Sequence, residues 1–303
     1  MISTLRLGTR GSPLALWQAN MVAQALRAAH GLAEEAIEIV PIRTTGDKVQ
    51  DRPLAEIGGK ALWTKELDRA LLAHEIDFAV HSMKDVETIR PAEIVIAAMP
   101  PRADTRDRLI GADSLVALPR DARVGTSSPR RAAQVRRARP DIEILLFRGN
   151  VETRLRKLAE GEADATLLAA AGLERLGYGA IGAPLDELLP APAQGAVGIE
   201  ARADDAETLR LLAAIDHAPT SLCVRAERAL LAALGADCRS PVAALARVSD
   251  DEIHLRAEIL SEDGTAWEAG EIRFARHDMD APARLAGQLL DRASPTLRAL
   301  FAP

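Results

Sequence analysis

One phrase occurs twice in this chain, and that repetition constrains the fold more than any other feature. "RLGTRGSP" at 6–13 returns as "RVGTSSP" at 123–129. Each copy closes an apolar strand with Gly-Thr and enters a helix through Ser-Pro. Ser12 and Ser128 suit the N-cap, and Pro13 and Pro129 suit the first helical position. The strands that follow also correspond, "IEIVPIRTTGD" with "IEILLFRGNVE", and then "EIDFAVHS" at 75–82 with "EADATLLA" at 162–169. Three echoes in the same order predict two α/β domains of like topology, with strands and helices alternating to cover a largely parallel sheet.

Open α/β sheets bind ligands beyond the carboxyl ends of their strands. Those ends carry Thr9-Arg10, Arg43-Thr44-Thr45, the run His81 to Asp85, Thr126-Ser127-Ser128 and Arg148-Gly149-Asn150. If the two polar edges face each other, they line a cleft between domains. The first helix is expected from Pro13 to Gly31 with Leu14, Trp17, Met21 and Ala25 on one face, and a second over roughly 61–73. From about 217 the pattern changes. "PTSLCVRAERALLAAL" reads as an amphipathic helix ending at Gly235. Alternation then puts Ile253, Leu255, Ala257 and Ile259 on one strand face, with a turn at Glu262-Asp263-Gly264 and a last helix over about 280–292. This is a small α+β domain with an antiparallel sheet.

Composition narrows the function. The formal charge is −6 over 303 residues, the wrong sign for a protein that binds nucleic acid through its overall field. Aromatic residues make up 3%, too few for base-stacking platforms. Only Cys223 and Cys238 occur, so a disulfide scaffold is excluded. The start, "MISTLRLGTRGSP", has no basic-then-apolar leader, and no apolar run reaches the ~18 residues of a membrane helix. These features predict a soluble cytoplasmic protein.

The basic residues therefore matter as local clusters. In "VGTSSPRRAAQVRR", Arg130 and Arg131 open a helix, where cations oppose the dipole. That placement makes sense if an anion sits at the helix start; solvated surface is the alternative, and for Arg136 and Arg137 the preferred one. Arg10, Lys84, Arg148 and Arg154 also lie at or just past strand ends, and converging cations call for a multiply charged anion. No Walker-type phosphate loop is present, and carboxylates suit arginine as well as phosphate does. Asp85 is the one acid in this set. It either balances Lys84 or is a carboxylate kept ionised to stabilise a cation or exchange a proton. Cys238 lies in a loop, where Arg239 would favour thiolate; Cys223 sits mid-helix and reads as packing. His74, His217, His254 and His277 show no metal spacing.

These residues carry a resemblance. "TRGSPLALWQA", "PLAEIGGKALWTKEL", "DFAVHSMKDV", "VGTSSPRR", "LFRGNVETRLRKL", "LAAAGLERLG" and "LPAPAQGAVGIE" run in order from 9 to 200, with the Cys238 loop following. Nearly the whole chain resembles the porphobilinogen deaminase (hydroxymethylbilane synthase) family. The resemblance implies two periplasmic-binding-protein-like α/β domains around a cleft, 1–100 with 196–216 and 101–195, plus a small C-terminal α+β domain, 217–303. It implies a monomeric transferase of tetrapyrrole and heme biosynthesis. Four porphobilinogen units would be joined head to tail, with loss of ammonia, into hydroxymethylbilane. The priming dipyrromethane would be attached through a thioether to Cys238. Each pyrrole bears an acetate and a propionate, which accounts for the cations. By resemblance Ser82, Lys84, Thr126, Ser127, Ser128, Arg130, Arg131 and Gly149 hold the cofactor. Arg10, Ser12, Gln18, Lys60, Trp63, Arg148, Arg154, Arg175 and Gln194 bind substrate or the growing chain, and Asp85 is catalytic.

Four departures stand out. Glu56 lies where relatives often carry lysine, in a segment with the look of a lid, and Trp63 where they often carry phenylalanine. "PAPAQG" replaces a more usual Val-Gly before Gln194, and "GADCRSP" lacks the usual glycine before the cysteine. Rival readings are weaker: a solute-binding protein would carry an export signal, a ligand-sensing regulator would need a helix-turn-helix ahead of its first strand, and a nucleic-acid binder using Arg120–Arg139 would lack stacking aromatics.

Overall fold

The computed structural model describes residues 4–43 and 64–301. Glu56, Lys60 and Trp63, and the first residues of the helix expected over 61–73, lie outside the described residues. The chain divides into two compact units, Met1–Ala103 with Gly195–Ser221, and Asp104–Gln194 with Leu222–Pro303.

The first unit is built on β1 (Leu5–Arg10), β2 (Ile37–Ile42), β3 (Phe78–Ser82), β4 (Ile94–Ala98) and β10 (Val197–Arg202). They lie side by side as β2-β1-β3-β10-β4. β1 runs parallel to β2 and β3, while β10 runs antiparallel to β3 and β4. Among the described residues β2 pairs with β1 alone, which is why Pro41, lacking an N–H, is tolerated in it. The first helix, α1 (Pro13–His30), starts as expected: the Ser12 hydroxyl accepts from the Ala15 N–H at 3.3 Å. Its buried face, however, is Gln18, Ala19, Val22, Ala23 and Leu26, and Trp17 is 41% exposed. The predicted stripe of Leu14, Trp17, Met21 and Ala25 is rotated from the true one. Small side chains let a helix approach a sheet closely, so the alanines and Val22 take the interface and the indole is left outside. α2 (Lys65–Leu72) buries Leu67, Ala70 and Leu71, and α6 (Ala206–Ala213) buries Leu211 and Leu212.

The second unit repeats the scheme with β5 (Asp107–Ile110), β6 (Arg123–Gly125), β7 (Glu143–Leu145), β8 (Ala165–Ala169) and β9 (Ala183–Leu185). The order is β7-β6-β8-β5-β9, with β6 parallel to β7 and β8 and β5 antiparallel to β8 and β9. Each echoed phrase thus occupies the same place in its own sheet: β6 corresponds to β1, β7 to β2 and β8 to β3. The fourth strand in each order, β10 in one sheet and β5 in the other, comes from outside the repeat. Helices α3 (Pro129–Ala138), α4 (Val151–Ala159) and α5 (Ala170–Arg175) follow β6, β7 and β8. Both sheets fit the periplasmic-binding-protein-like α/β class.

The C-terminal part of this unit is the expected antiparallel sheet, β11 (Val242–Ser249), β12 (Glu252–Leu260) and β13 (Trp267–Ala275). Ile253, Leu255, Ala257 and Ile259 are all buried, packed with Leu230 and Leu234 of α7 (Ala218–Ala233) and Leu285 and Leu289 of α8 (Ala281–Arg292). Each such leucine or isoleucine contributes about 1.5–3 kcal/mol. The turn after β12 closes against α3. At Gly264, φ is 75° and a Cβ would sit 2.5 Å from the Ala133 carbonyl oxygen, so only glycine fits. Arg137 on α3 pairs with Glu258 on β12 and lies 4.7 Å from the Trp267 ring centroid, and Arg136 donates to the Glu262 carbonyl at 2.8 Å. The expectation that Arg136 and Arg137 are a solvated face is overturned: they fasten α3 to the C-terminal sheet. The sheet itself was expected, but its packing against α3 is a tertiary contact that helix periodicity does not encode.

Candidate functional site

In the first unit, the carboxyl ends of β1 and β3 lie at the same sheet edge because the two strands are parallel neighbours. Arg10, Ser12, Gln18, Ser82 and Asp85 line one cavity there. Gln18 Nε2 donates to Ser82 Oγ at 3.0 Å, and Ser82 Oγ donates back to Gln18 Oε1 at 3.2 Å. After β3 the chain makes one tight turn, Met83–Asp85, anchored by buried Met83, which leaves Lys84 and Asp85 half-buried at the edge. Beneath this edge lies a charged network that sequence reasoning missed. His81 Nε2 is 3.0 Å from Oε2 of Glu200 on β10, and Arg90 donates to the same carboxylate from Nε at 2.8 Å and Nη2 at 3.0 Å. Burial pushes the Glu200 carboxyl up, but the neighbouring His81 ring and the Arg90 guanidinium more than offset it and hold it at about 2. Arg90 also pairs with Asp68 and Glu87. The group draws on three stretches of the chain, 68, 81–90 and 200, so no local signal announced it.

The second unit assembles the other cluster. The Ser128 hydroxyl accepts from the Arg131 N–H at 3.4 Å, as an N-cap should, and Thr126 Oγ1 accepts from the Ser128 N–H at 3.2 Å. Arg154 spans the gap to the next strand end, donating from Nε to the Gly149 carbonyl at 3.0 Å and from Nη2 to Ser127 Oγ at 3.1 Å. Gly149 has φ 109°, and a Cβ would meet Thr153 Cγ2 at 2.6 Å, so the sharp entry into α4 requires glycine. Arg148 is half-buried beside it; Arg175 is half-buried at the end of α5, where burial pushes its guanidinium pKa down. Gln194 is buried and donates from Nε2 to the Thr105 carbonyl at 2.7 Å and to Asp107 Oδ1 at 2.8 Å.

The reading of Arg130 and Arg131 needs correction. They are 3% and 5% exposed, and neither waits uncompensated for an external anion. Both hold Asp107, the first residue of β5, which is fully buried. Arg130 Nη2 reaches Oδ2 at 2.7 Å, and Arg131 Nη2 reaches Oδ1 at 2.6 Å. Burial alone would raise the Asp107 pKa; the charges and hydrogen bonds of the two arginines hold it well below the usual carboxylate range. Two guanidinium groups share one carboxylate, so one positive charge is left over. The cluster still favours an anion, but with half the charge the sequence implied.

Cys238 is exposed in the loop after α7, whereas Cys223 is buried in the C-terminal core. The departure before the cysteine has a structural role. Asp237 Oδ1 accepts from the Arg239 N–H at 2.8 Å, and Ser240 Oγ accepts from the Asp237 N–H at 3.1 Å, so the acid shapes the turn where a glycine was expected. Asp237 also pairs with the Arg239 guanidinium at 3.1 Å. The charge assistance expected from Arg239 is therefore largely spent on its neighbour. Among the described residues, no group of histidines, cysteines or acids forms a metal centre.

Two α/β units with cationic, hydroxyl-rich strand ends, and an exposed thiol in the loop that precedes a third sheet, make up an α/β protein equipped for an acidic ligand. A family model, porphobilinogen deaminase, dipyromethane cofactor binding domain, matches residues 5–210, and a second, porphobilinogen deaminase, C-terminal domain, matches 221–291. Proteins called porphobilinogen deaminase are 62% identical in Sphingopyxis alaskensis over 98% of this chain and 96% of theirs, 55% in Paracoccus denitrificans over 88% and 87%, and 50% in Nitrobacter hamburgensis over 98% and 96%. The solved Bordetella pertussis BvgS periplasmic VFT2 domain matches 70% of this chain and 86% of its own at 16% identity and a TM-score of 0.38, too loose a likeness to bear on the site. The chain belongs to the porphobilinogen deaminase family. It is a transferase of tetrapyrrole and heme biosynthesis with a dipyrromethane cofactor. The donor set of the second unit fits that group: hydroxyls, guanidinium groups with charge to spare and a reachable thiol suit a tethered polycarboxylate.

Proposed function

We propose that this chain joins four porphobilinogen units head to tail, releasing ammonia at each step and finally hydroxymethylbilane, with its dipyrromethane held by a thioether to Cys238. When bound, that group supplies the free pyrrole carbon at which new rings are added. Ser82, Lys84, Thr126, Ser127, Ser128, Arg130, Arg131 and Gly149 hold its carboxylates. Arg10, Ser12, Gln18, Arg148, Arg154, Arg175 and Gln194 hold the acetate and propionate of substrate and of the growing chain, a role that Lys60 shares, while Trp63 stacks on a pyrrole ring. Asp85 is the catalytic residue. Its carboxylate accepts a hydrogen bond from the substrate's pyrrole N–H, and it stabilises the positive charge that develops as ammonia leaves. The inward aim of Arg130 and Arg131 supports a small acidic substrate over nucleic acid.

We read the enzyme as a cytoplasmic monomer, and its three sheets, each with its own core, as domains 1–100 with 196–216, 101–195 and 217–303. Among the described residues, no helix is long and apolar enough to cross a membrane. Light scattering on the eluting protein tests the monomer.

The observation that carries the attachment is the contrast between the two thiols, one exposed on a turn and one packed among Leu230 and Ala257. Intact-mass measurement tests it. Wild type and Cys223→Ser are expected to carry a dipyrromethane adduct and Cys238→Ser to lack it; an adduct surviving in Cys238→Ser overturns the assignment.

A further inference from the structure

Asp107 belongs to none of the motifs that mark the family resemblance, yet both arginines of the helix start and Gln194 converge on it. Its Oδ1 accepts from Arg131 Nε at 3.1 Å, Arg131 Nη2 at 2.6 Å and Gln194 Nε2 at 2.8 Å, and its Oδ2 accepts from Arg130 Nη2 at 2.7 Å. Further donors of both arginines are tied to backbone carbonyls and to Gln134. Arg131 Nη1 donates to the Leu167 carbonyl on β8 at 3.1 Å, and Arg130 Nη1 to the Leu189 carbonyl at 2.9 Å and Gln134 Oε1 at 2.8 Å. One donor is unspent: Arg130 Nε is buried and has no hydrogen-bond partner among the described residues.

We propose that Asp107 is a positioning residue, a built-in carboxylate that fixes the geometry of Arg130 and Arg131 before any ligand arrives and holds the pair at a single surplus charge. The proposal rests on the reading of these arginines as holders of pyrrole carboxylates. Its physical basis is preorganisation. Two long side chains ordered only on binding would each charge their lost rotamer freedom against affinity, whereas side chains already locked do not. Two buried guanidinium groups without a counter-ion would also repel each other and hydrate, blurring the site.

The same frame reaches the module that carries the thiol. Gln134 Nε2 donates to Oε2 of Glu258 on β12 at 2.8 Å. Next to Gln194, the Ala193 N–H donates to Oε2 of Glu227 on α7 at 2.6 Å, and Glu227 Oε1 accepts from the Ala246 N–H on β11 at 2.7 Å. Gln134, bonded to Arg130, and Ala193, next to Gln194, thus link the surroundings of Asp107 to the C-terminal sheet and its helix.

Two measurements test this. In side-chain 15N–1H spectra of the Cys238→Ser chain, before porphobilinogen is added, Arg130 and Arg131 are expected to show separate, slowly exchanging Nη–H signals; averaged signals from freely rotating guanidinium groups overturn the proposal. This reading needs no change at Asp107 and so stands even if Asp107 variants do not fold. In the second, apo chains are incubated with porphobilinogen and adduct formation is followed by intact mass. With folding matched by far-UV circular dichroism, Asp107→Asn is expected to raise the half-saturating concentration at least tenfold while reaching the wild-type plateau; an unchanged half-saturation overturns the proposal. Arg131→Leu separates the two levels. If it forms adduct like wild type, the assignment of the arginines fails; if it is impaired while folded Asp107→Asn is not, only the positioning role fails.

Discussion

Asp85 is half-buried at a strand end, in a cavity it shares with Arg10, Ser12 and Gln18. A charge so placed stabilises an adjacent developing cation with little reorganisation. Asp85→Asn keeps the shape and removes the charge. Turnover is expected to fall by about 10²–10³, the loss typical of one positioned electrostatic partner, while the covalent adduct remains. Single-turnover ammonia release beside intact mass checks this, and normal turnover would remove Asp85 from its role. Ala193 shows a different residue-scale effect. It is a non-glycine residue at φ 61°, held by its N–H bond to Glu227. An L-residue there is strained by ~1–2 kcal/mol, partly offset because glycine frees the unfolded chain. Ala193→Gly is expected to stabilise the protein by about 0.5–1 kcal/mol in denaturant melts, with activity unchanged.

At the scale of elements, α3 is where chemistry and architecture meet. Its first turn carries Arg130 and Arg131, and its last turn carries Arg136 and Arg137, which dock on the C-terminal sheet. The contact at Gly264 leaves no room for a methyl group. Gly264→Ala is expected to cost about 1–3 kcal/mol, combining a positive-φ penalty with displacement of α3. Because α3 carries the arginines, the same variant should also slow adduct formation. A thermal melt and intact mass together check both effects, and a melt unchanged within about 0.5 kcal/mol would mean the turn yields freely.

At the scale of the molecule, acid stability depends on buried carboxylates. Glu200 ordinarily titrates near 4.5 and is held at about 2 in the fold. A depressed carboxyl stabilises above its unfolded value and loses that contribution as pH falls through its folded value. The window is therefore pH 4.5 down to 2, and the contribution is on the order of 3 kcal/mol. Asp107, depressed further still, acts in the same sense. Asp68, pushed up by burial against the pull of Arg90, opposes them once it ionises. Glu200→Gln is expected to be less stable at neutral pH and to lose less on acidification, giving a flatter melting profile across that window. A profile parallel to wild type would show that Glu200 does not set acid stability.

The sequence by itself determined the elements and their order. Ser-Pro helix starts, period-two alternation and the repeated phrase act over a few residues, and each is decided by local capping, φ restriction and hydrophobic period. That is why β1, β6, the three C-terminal strands and the residues at the strand ends were legible. Only the tertiary structure decided which charges meet. Asp107 comes 23 positions before Arg130, and Glu200 comes 119 after His81; β5 and β10 bring each acid in as an antiparallel partner from outside the repeat. Coulomb energy depends on separation in space and on burial, neither of which a local pattern encodes. So cations that read as unanswered along the chain prove to be half answered inside the fold.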